Sequence, residues 1–386
     1  MDGARFDMLA RSVVGRHGRR RFALLLGGVA TTALIGEEVR AKKKKKKPKK
    51  VPLCLDGQTI NAAGKKRKKL IKSGATPGAC ASGCTPQCDG TRCGDDGCGG
   101  TCACSGNSVC DQGICTACKV ICGSDSPATC GTRLAQALLA GGRVTVCPGQ
   151  YLGAFNIDIN NTTLIGAGSG SNPLVDTILV ATTGQRPLGV PAGITTFVSR
   201  LRITGGDTPY AGGGVRGDPN SVLFMDQCAV VDNHSRKDGS GISSAGRLTL
   251  TRSAVTGNGG QMSVGGAGLA LLSSGPHLIE NSVITGNEAY YGGSGGKEGG
   301  GLYCSGATVD IRGTEISRNF AESEGGGIYL RNSTVTLDSA TRIVNNEAGG
   351  SGGIYRESGT VIFNGATVSG NTRDNCAGAD SFTCPG

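Results

Sequence analysis

From residue 200 onward, apolar and polar positions recur in two short patterns. One is a glycine followed by an aliphatic residue: Gly214-Val215, Gly241-Ile242, Gly268-Leu269, Gly301-Leu302, Gly327-Ile328 and Gly353-Ile354. The other is an aliphatic residue three before an asparagine: Val230/Asn233, Val255/Asn258, Ile284/Asn287, Ile316/Asn319, Ile343/Asn346 and Val368/Asn371. The aliphatics step by 27, 27, 33, 26 and 26 residues, and the asparagines by 25, 29, 32, 27 and 25. Between the two patterns run period-two stretches such as Leu248-Thr249-Leu250, Val309-Asp310-Ile311, Val335-Thr336-Leu337 and Val361-Ile362-Phe363. A period of two predicts short strands with one face buried.

A repeat of about 26 residues that holds three short strands and no helix has one natural closure. The chain winds as a coil, each strand pairs in parallel with its counterpart one turn later, and the aliphatic residues point inward. The longest step falls where Tyr290 to Gly300 swells, which places an insertion at one corner of the coil, where a solenoid tolerates it. Asparagines stacked at a turn can hydrogen-bond from coil to coil, so Asn233, Asn258, Asn287, Asn319, Asn346 and Asn371 are expected to form a structural ladder. Glycine before the inward aliphatic allows a sharp corner. Leucine-rich repeats share the repeat length, but the regular leucine framework they need is absent.

These residues resemble the right-handed parallel β-helix, or pectin-lyase-like, superfamily. The pairing of Gly-Gly-aliphatic with aliphatic-x-x-Asn is similar to the repeats of polymorphic outer-membrane proteins. The resemblance implies an all-β fold, a right-handed parallel β-helix solenoid of roughly nine coils over residues 131–386. Upstream, Thr132 to Ala140 reads as a short amphipathic helix, followed by Val144 to Tyr151 and Thr163 to Gly168. In pectin-lyase-like proteins such a helix caps the first coil and Pro-Gly-x-Tyr begins the winding. A cap is physically required, because an open end exposes apolar side chains and unpaired strand edges. Cys130 and Cys147 are expected to clip this cap, and Cys376 with Cys384 to close a terminal loop.

Charge divides the chain further. Residues 1–80 carry 21 Lys and Arg against 5 Asp and Glu, and the rest carry 19 against 24, so a basic leader precedes a slightly acidic body. Within residues 1–41, Arg19 to Phe22 precede an apolar run ending at Ile35, too short for a membrane anchor. Gly18-Arg19-Arg20-Arg21-Phe22-Ala23-Leu24 resembles the twin-arginine export signal, with Ala23 where leucine is usual. A membrane-surface basic helix is the alternative. Residues 42–53, with Lys42 to Lys47, Lys49 and Lys50, repel one another and predict a disordered linker. Together these predict a secreted or cell-surface protein with no transmembrane segment in its mature chain.

Residues 54–130 are cysteine-rich. Cys54 to Ile60 reads as a short strand and Lys65 to Lys69 as a basic helical turn, in a loop that Cys54 and Cys80 could close. Twelve cysteines then fall between Cys80 and Cys130, with almost nothing apolar between them, so cross-links must stand in for a core. Cys93 to Cys104 resembles small disulfide-knotted modules of secreted bacterial proteins. Metal is the competing reading: Cys115-x-x-Cys118 has zinc-like spacing, but no second pair and no His follow at a matching distance.

Many proteins of the resembled superfamily cleave acidic polysaccharides, yet the polygalacturonase-like motifs and the epimerase-like Asp-Pro-His-Asp are absent as sets. His277 replaces an aliphatic in a repeat position and reads as structural. Asp232, His234, Arg236 and Asp238 form the one local cluster with acid, base and cation together, a candidate for lyase or hydrolase chemistry. Tyr303, Tyr329 and Tyr355 each follow the inward aliphatic, so alternation points them outward as a stacked row. That row is the expected ligand-binding surface, a flat platform for sugar rings or a protein. Glu288, Glu298, Glu322, Glu324 and Glu347 near it read as solvating acids. With 4 % aromatic residues and no Trp, the core must come from Val, Ile and Leu. The expected function is non-catalytic binding of an envelope glycan or a protein partner, by a monomer with no cofactor, no metal and no nucleic-acid partner.

Overall fold

A computed structural model describes residues 51–55, 58–72, 76–77, 91, 93–95, 101–102, 104, 106–262, 265–291 and 298–385. The export signal, the lysine run 42–50 and the Cys54–Cys80 closure lie outside these residues.

The repeat winds as a parallel solenoid. Three sheets of nine strands each run the length of the coil, and a fourth, of six strands, lines one corner. The first sheet runs from Phe155–Asn156 to Cys376–Gly378, the second from Arg143–Thr145 to Gly359–Phe363, and the third from Gly149–Leu152 to Thr367–Ser369. Every neighbouring pair is parallel, so the nine strands of each sheet stack as nine coils joined by eight coil-to-coil steps, in line with the roughly nine coils expected from the sequence. The inward aliphatics fuse into one continuous core, from Val144 and Leu164 to Ile343 and Ile354. In the register Leu248, His277, Val309, Val335, the histidine takes an inward place. His277 is 2 % exposed, its Nδ1 accepts the Leu248 amide at 3.2 Å, and its Nε2 lies 3.2 Å from Ser273 Oγ.

The first coil is capped by the helix Pro127–Ala140, longer at its start than the pattern Thr132–Ala140 indicated. Ser126 caps it: its Oγ accepts the Thr129 amide, and Pro127 fills the first turn, where no amide partner is needed. Cys130, Leu134 and Leu138 turn into the solenoid. Behind them Tyr151 is fully buried and donates its hydroxyl to the Cys147 carbonyl at 2.9 Å.

The disulfides correct one expected pairing. Cys130 bonds Cys122, and Cys147 bonds Cys118. The backbone explains the exchange: Val120 bridges Val146 and Lys119 donates to the Thr145 carbonyl, so the incoming strand rather than the helix reaches Cys147. Cys93–Cys110 and Cys104–Cys115 link the hairpin Ser108–Asp111/Ile114–Ala117 to the preceding segment. Cys376–Cys384 closes the terminal loop. Upstream, Val51–Leu55 and Gln58–Ala62 form a hairpin, and the helix Gly64–Lys72 follows. No helix among the described residues is long and apolar enough to cross a membrane.

Candidate functional site

Behind one corner of the coil stands a buried column of amides. Asn233, Asn258, Asn287, Asn319 and Asn346 are at most 1 % exposed. Each donates its backbone N–H and its Nδ2 to the Oδ1 of the next asparagine, at 2.9–3.1 Å. Nδ2 also donates to a strand carbonyl of the preceding coil, as Asn319 does to Ile284 at 3.0 Å. Both hydrogens and both lone pairs of each interior amide are therefore used, which is what burial demands. The column starts at the Gly206 amide, which donates to Asn233 Oδ1, and passes through Asn371 to Asn375, a member the repeat spacing does not reach. A second column of hydroxyls, Ser253, Ser282 and Thr314, accepts backbone amides at another corner.

The ladder organises the surface outside it. With the asparagine turned in, the next residue turns out, so Asp207, His234, Gly259, Glu288, Phe320 and Glu347 align in register along the six-stranded sheet. The residue before each ladder position takes a left-handed backbone. Glycine serves at Gly257 and Gly286, but Asp232, Arg318 and Asn345 hold φ of 54–57° there and display side chains beside the row. At a spacing of about 4.8 Å per strand, six strands make a groove roughly 24 Å long.

Two hollows lie in this groove. One, of about 440 Å³, is lined by Asp207, Asp232, His234, Arg236, Gly260 and Tyr290. The other, of about 460 Å³, is lined by Glu288, Tyr290, Arg318, Phe320, Asn345 and Glu347. Tyr290 belongs to both. It is 45 % exposed and tilts onto Phe320, with ring centroids 6.3 Å apart. Flat aromatic area thus sits midway between charged ends, and Arg202 stands 3.8 Å from Asp232 at one of them.

The local cluster read from the sequence divides. Asp232, His234 and Arg236 share the first hollow, and Asp238 does not. Asp238 lies in the turn between the strands His234–Ser235 and Ile242–Ser244, where burial raises its carboxyl to about 6 and Oδ1 has no hydrogen-bond partner. Its charge acts there on Tyr303. Among the described residues, the set of metal-ligating side chains that converges is Cys93, Cys104 and Cys115, all held in disulfides.

The tyrosine row needs correction. Tyr303, Tyr329 and Tyr355 do stack in register, with centroids 5.4 and 5.5 Å apart. Yet Tyr303 is 6 % and Tyr329 7 % exposed. The glycine corners fold back over the outer face: a Cβ on Gly265 would lie 2.3 Å from Tyr303 Cδ2, and one on Gly325 2.9 Å from Tyr329 Cβ. Tyr329 also donates its hydroxyl to Glu357 at 2.6 Å. The row is a packed stack, and only Tyr355 is half-open. Pointing away from the coil axis is not the same as facing water.

Sequence reasoning did not assign six of these residues to a site: Asp207, Arg318 and Phe320 went unremarked, Glu288 and Glu347 read as solvating acids, and Tyr290 read as the start of a corner insertion. Four of them could have been found as the neighbours of ladder asparagines: Glu288, Phe320 and Glu347 follow one, and Arg318 precedes one. No curated protein and no solved structure matches the chain. A family model described as a right handed beta helix region matches residues 192–373, the stretch through which the parallel sheets stack.

Proposed function

We propose that the chain is an exported, non-catalytic β-helix that binds an extended glycan of the cell envelope in the groove along its six-stranded sheet. The observation that carries this reading is the half-exposed Tyr290, set against Phe320 between two hollows whose rims are charged. Sugar rings stack on aromatic faces, and their hydroxyls pair with carboxylates and guanidinium groups. A groove of roughly 24 Å suits several consecutive rings rather than one small molecule. Export rests on the disulfides, which persist in oxidising compartments, together with the arginine-led apolar run at the N-terminus.

The second reading is a polysaccharide lyase or hydrolase, favoured by Asp232, His234 and Arg236 around one hollow. Against it, the second carboxyl of this turn, Asp238, lies outside the hollow. Catalytic groups need both convergence and a matched pKa. The purified protein should be titrated with defined glycan chains, including polyuronates, while products are followed by chromatography. Saturable binding with every chain recovered intact is expected. Shortened or unsaturated products that vanish in His234→Ala would give the second reading instead.

A further inference from the structure

The buried ladder explains one Asn-Gly dipeptide and leaves another exposed. The sequence holds two, Asn258-Gly259 and Asn364-Gly365. In such a pair the glycine carries no Cβ to keep its amide nitrogen away from the asparagine side chain. Attack of that nitrogen on the side-chain carbonyl carbon closes a five-membered imide. The fold decides which of the two pairs can react.

Asn258-Gly259 is locked. Asn258 Nδ2 donates to the Val230 carbonyl and to Asn287 Oδ1, both at 3.0 Å. Its Oδ1 accepts the Asn233 backbone amide at 3.1 Å and Asn233 Nδ2 at 3.0 Å. The attacking atom is held as well, because the Gly259 amide donates to the Asn233 carbonyl at 3.0 Å. With Asn258 1 % exposed, neither group can turn toward the other unless the coil opens.

Asn364-Gly365 sits in the turn between the strands Gly359–Phe363 and Thr367–Ser369 of the last coil, and both residues are exposed. The parallel register sets Asn364 beside Asp338 of the preceding coil. There, residues 338–341 span the turn, and Asp338 Oδ1 accepts the Gly313 amide at 2.9 Å and the Thr341 hydroxyl at 2.6 Å. In the last coil the turn is one residue shorter, 364–366, and Ala366 stands where Thr341 supplies that hydroxyl. Among the described residues, neither the Asn364 side chain nor the Gly365 amide has a hydrogen-bond partner. Nothing therefore holds the two reacting groups apart.

We propose that Asn364-Gly365 is a self-modification site, converting without an enzyme to aspartate and isoaspartate at position 364. The Gly365 nitrogen bonds to Asn364 Cγ as the Cγ–Nδ2 bond breaks, and the Gly365 amide proton leaves with Nδ2 as ammonia. Water then opens the imide. Addition at Cγ gives an aspartate in an ordinary chain, and addition at the backbone carbonyl carbon of position 364 leaves the chain running through Cγ, as isoaspartate. Nothing is oxidised or reduced, and water is the sole co-reactant. Each event adds a carboxylate beside Asp338, a permanent mark of elapsed time on the last coil. The turn lies outside the six-stranded sheet, so this proposal and the reading of the glycan groove stand or fall separately.

The test uses the unaltered full chain, kept folded in mildly alkaline buffer made with heavy-oxygen water and sampled over weeks. A parallel sample is kept in denaturant. Peptide mapping with fragment ions reads positions 258 and 364, and methylation by an isoaspartate methyltransferase counts the isoaspartate. In the folded chain, position 364 should take up heavy oxygen about a hundredfold or more faster than position 258, because reaction at Asn258 waits on opening of a coil. In denaturant the two positions should convert at similar rates. Asparagine retained at position 364 of the folded chain while the denatured chain converts overturns the proposal. Equal rates at the two positions of the folded chain overturn it too.

Discussion

Gly301 and Asn319 are two sides of one contact. A Cβ on Gly301 would lie 2.9 Å from Asn319 Nδ2 and 2.6 Å from the Gly327 carbonyl of the next coil. The same crowding recurs where Gly241 meets Asn258, Gly268 meets Asn287 and Gly327 meets Asn346. The glycine and the asparagine recur together because the corner carrying one closes directly onto the amide of the other. Gly301→Ala and Asn319→Ala are therefore expected to destabilise by about 2–4 kcal/mol each, through overpacking and through orphaned polar groups respectively. Chemical denaturation of the single and double variants tests this. The double variant should lose less than the sum, because a methyl group and a missing amide relieve one another.

Burial should grade the ladder. Asn371 is partly open to solvent and Asn319 is not. Water can replace lost partners at Asn371, so Asn371→Ala should cost about 1 kcal/mol or less. Equal losses at the two positions would show that the ladder is not buried as described.

Much of this fold was legible in the sequence, for a physical reason. Parallel stacking repeats one environment, so an inward aliphatic, a corner glycine and a buried amide each had to recur at one spacing. The surface was less legible. Tyr303 and Tyr329 follow the alternation rule and still lie buried, because loops at Gly265 and Gly325 close over them. Asp232 and Asp238 are six residues apart at the two ends of the strand His234–Ser235, and only Asp232 lines the hollow, a separation that local clustering hides. The exchange of partners between Cys130 and Cys147 depended on where the strand near Val120 docks, and spacing alone carries no information about that.

His277 gives the core a pH dependence. Burial lowers its pKa below the usual 6.5, so the folded protein keeps it neutral while the unfolded chain takes up a proton. Its contribution is fully present above about pH 6.5 and is lost as pH falls below that value. Thermal melts between pH 8 and pH 5 should show this decline. His277→Leu should flatten it.

Asp238 has the opposite sign. Its carboxyl is raised to about 6 by burial, so at neutral pH the folded state carries an ill-solvated charge that the unfolded chain solvates freely. Asp238→Asn is expected to raise stability at pH 7, by about 1–3 kcal/mol. The gain should shrink as pH falls through 6 and disappear near pH 4. A loss of stability at pH 7 would mean that Oδ1 has a partner after all.

Reduction should separate two kinds of stability. Cys93–Cys110 and Cys104–Cys115 hold a segment with almost no apolar interior, whereas the coils share one long core. With the disulfides reduced, limited proteolysis should cut first between residues 93 and 118. The far-ultraviolet strand signal should persist.

The groove along the six-stranded sheet is the centre of the functional account, and a pair of substitutions addresses it directly. Binding of the unaltered protein to envelope glycan should be compared with Tyr290→Ser in the groove and Tyr355→Ser on the packed stack. The account predicts a loss of about tenfold or more for Tyr290→Ser, as expected when a stacking ring is removed from a contact centre, and near-unchanged affinity for Tyr355→Ser. Retained affinity in Tyr290→Ser together with a loss in Tyr355→Ser would contradict it.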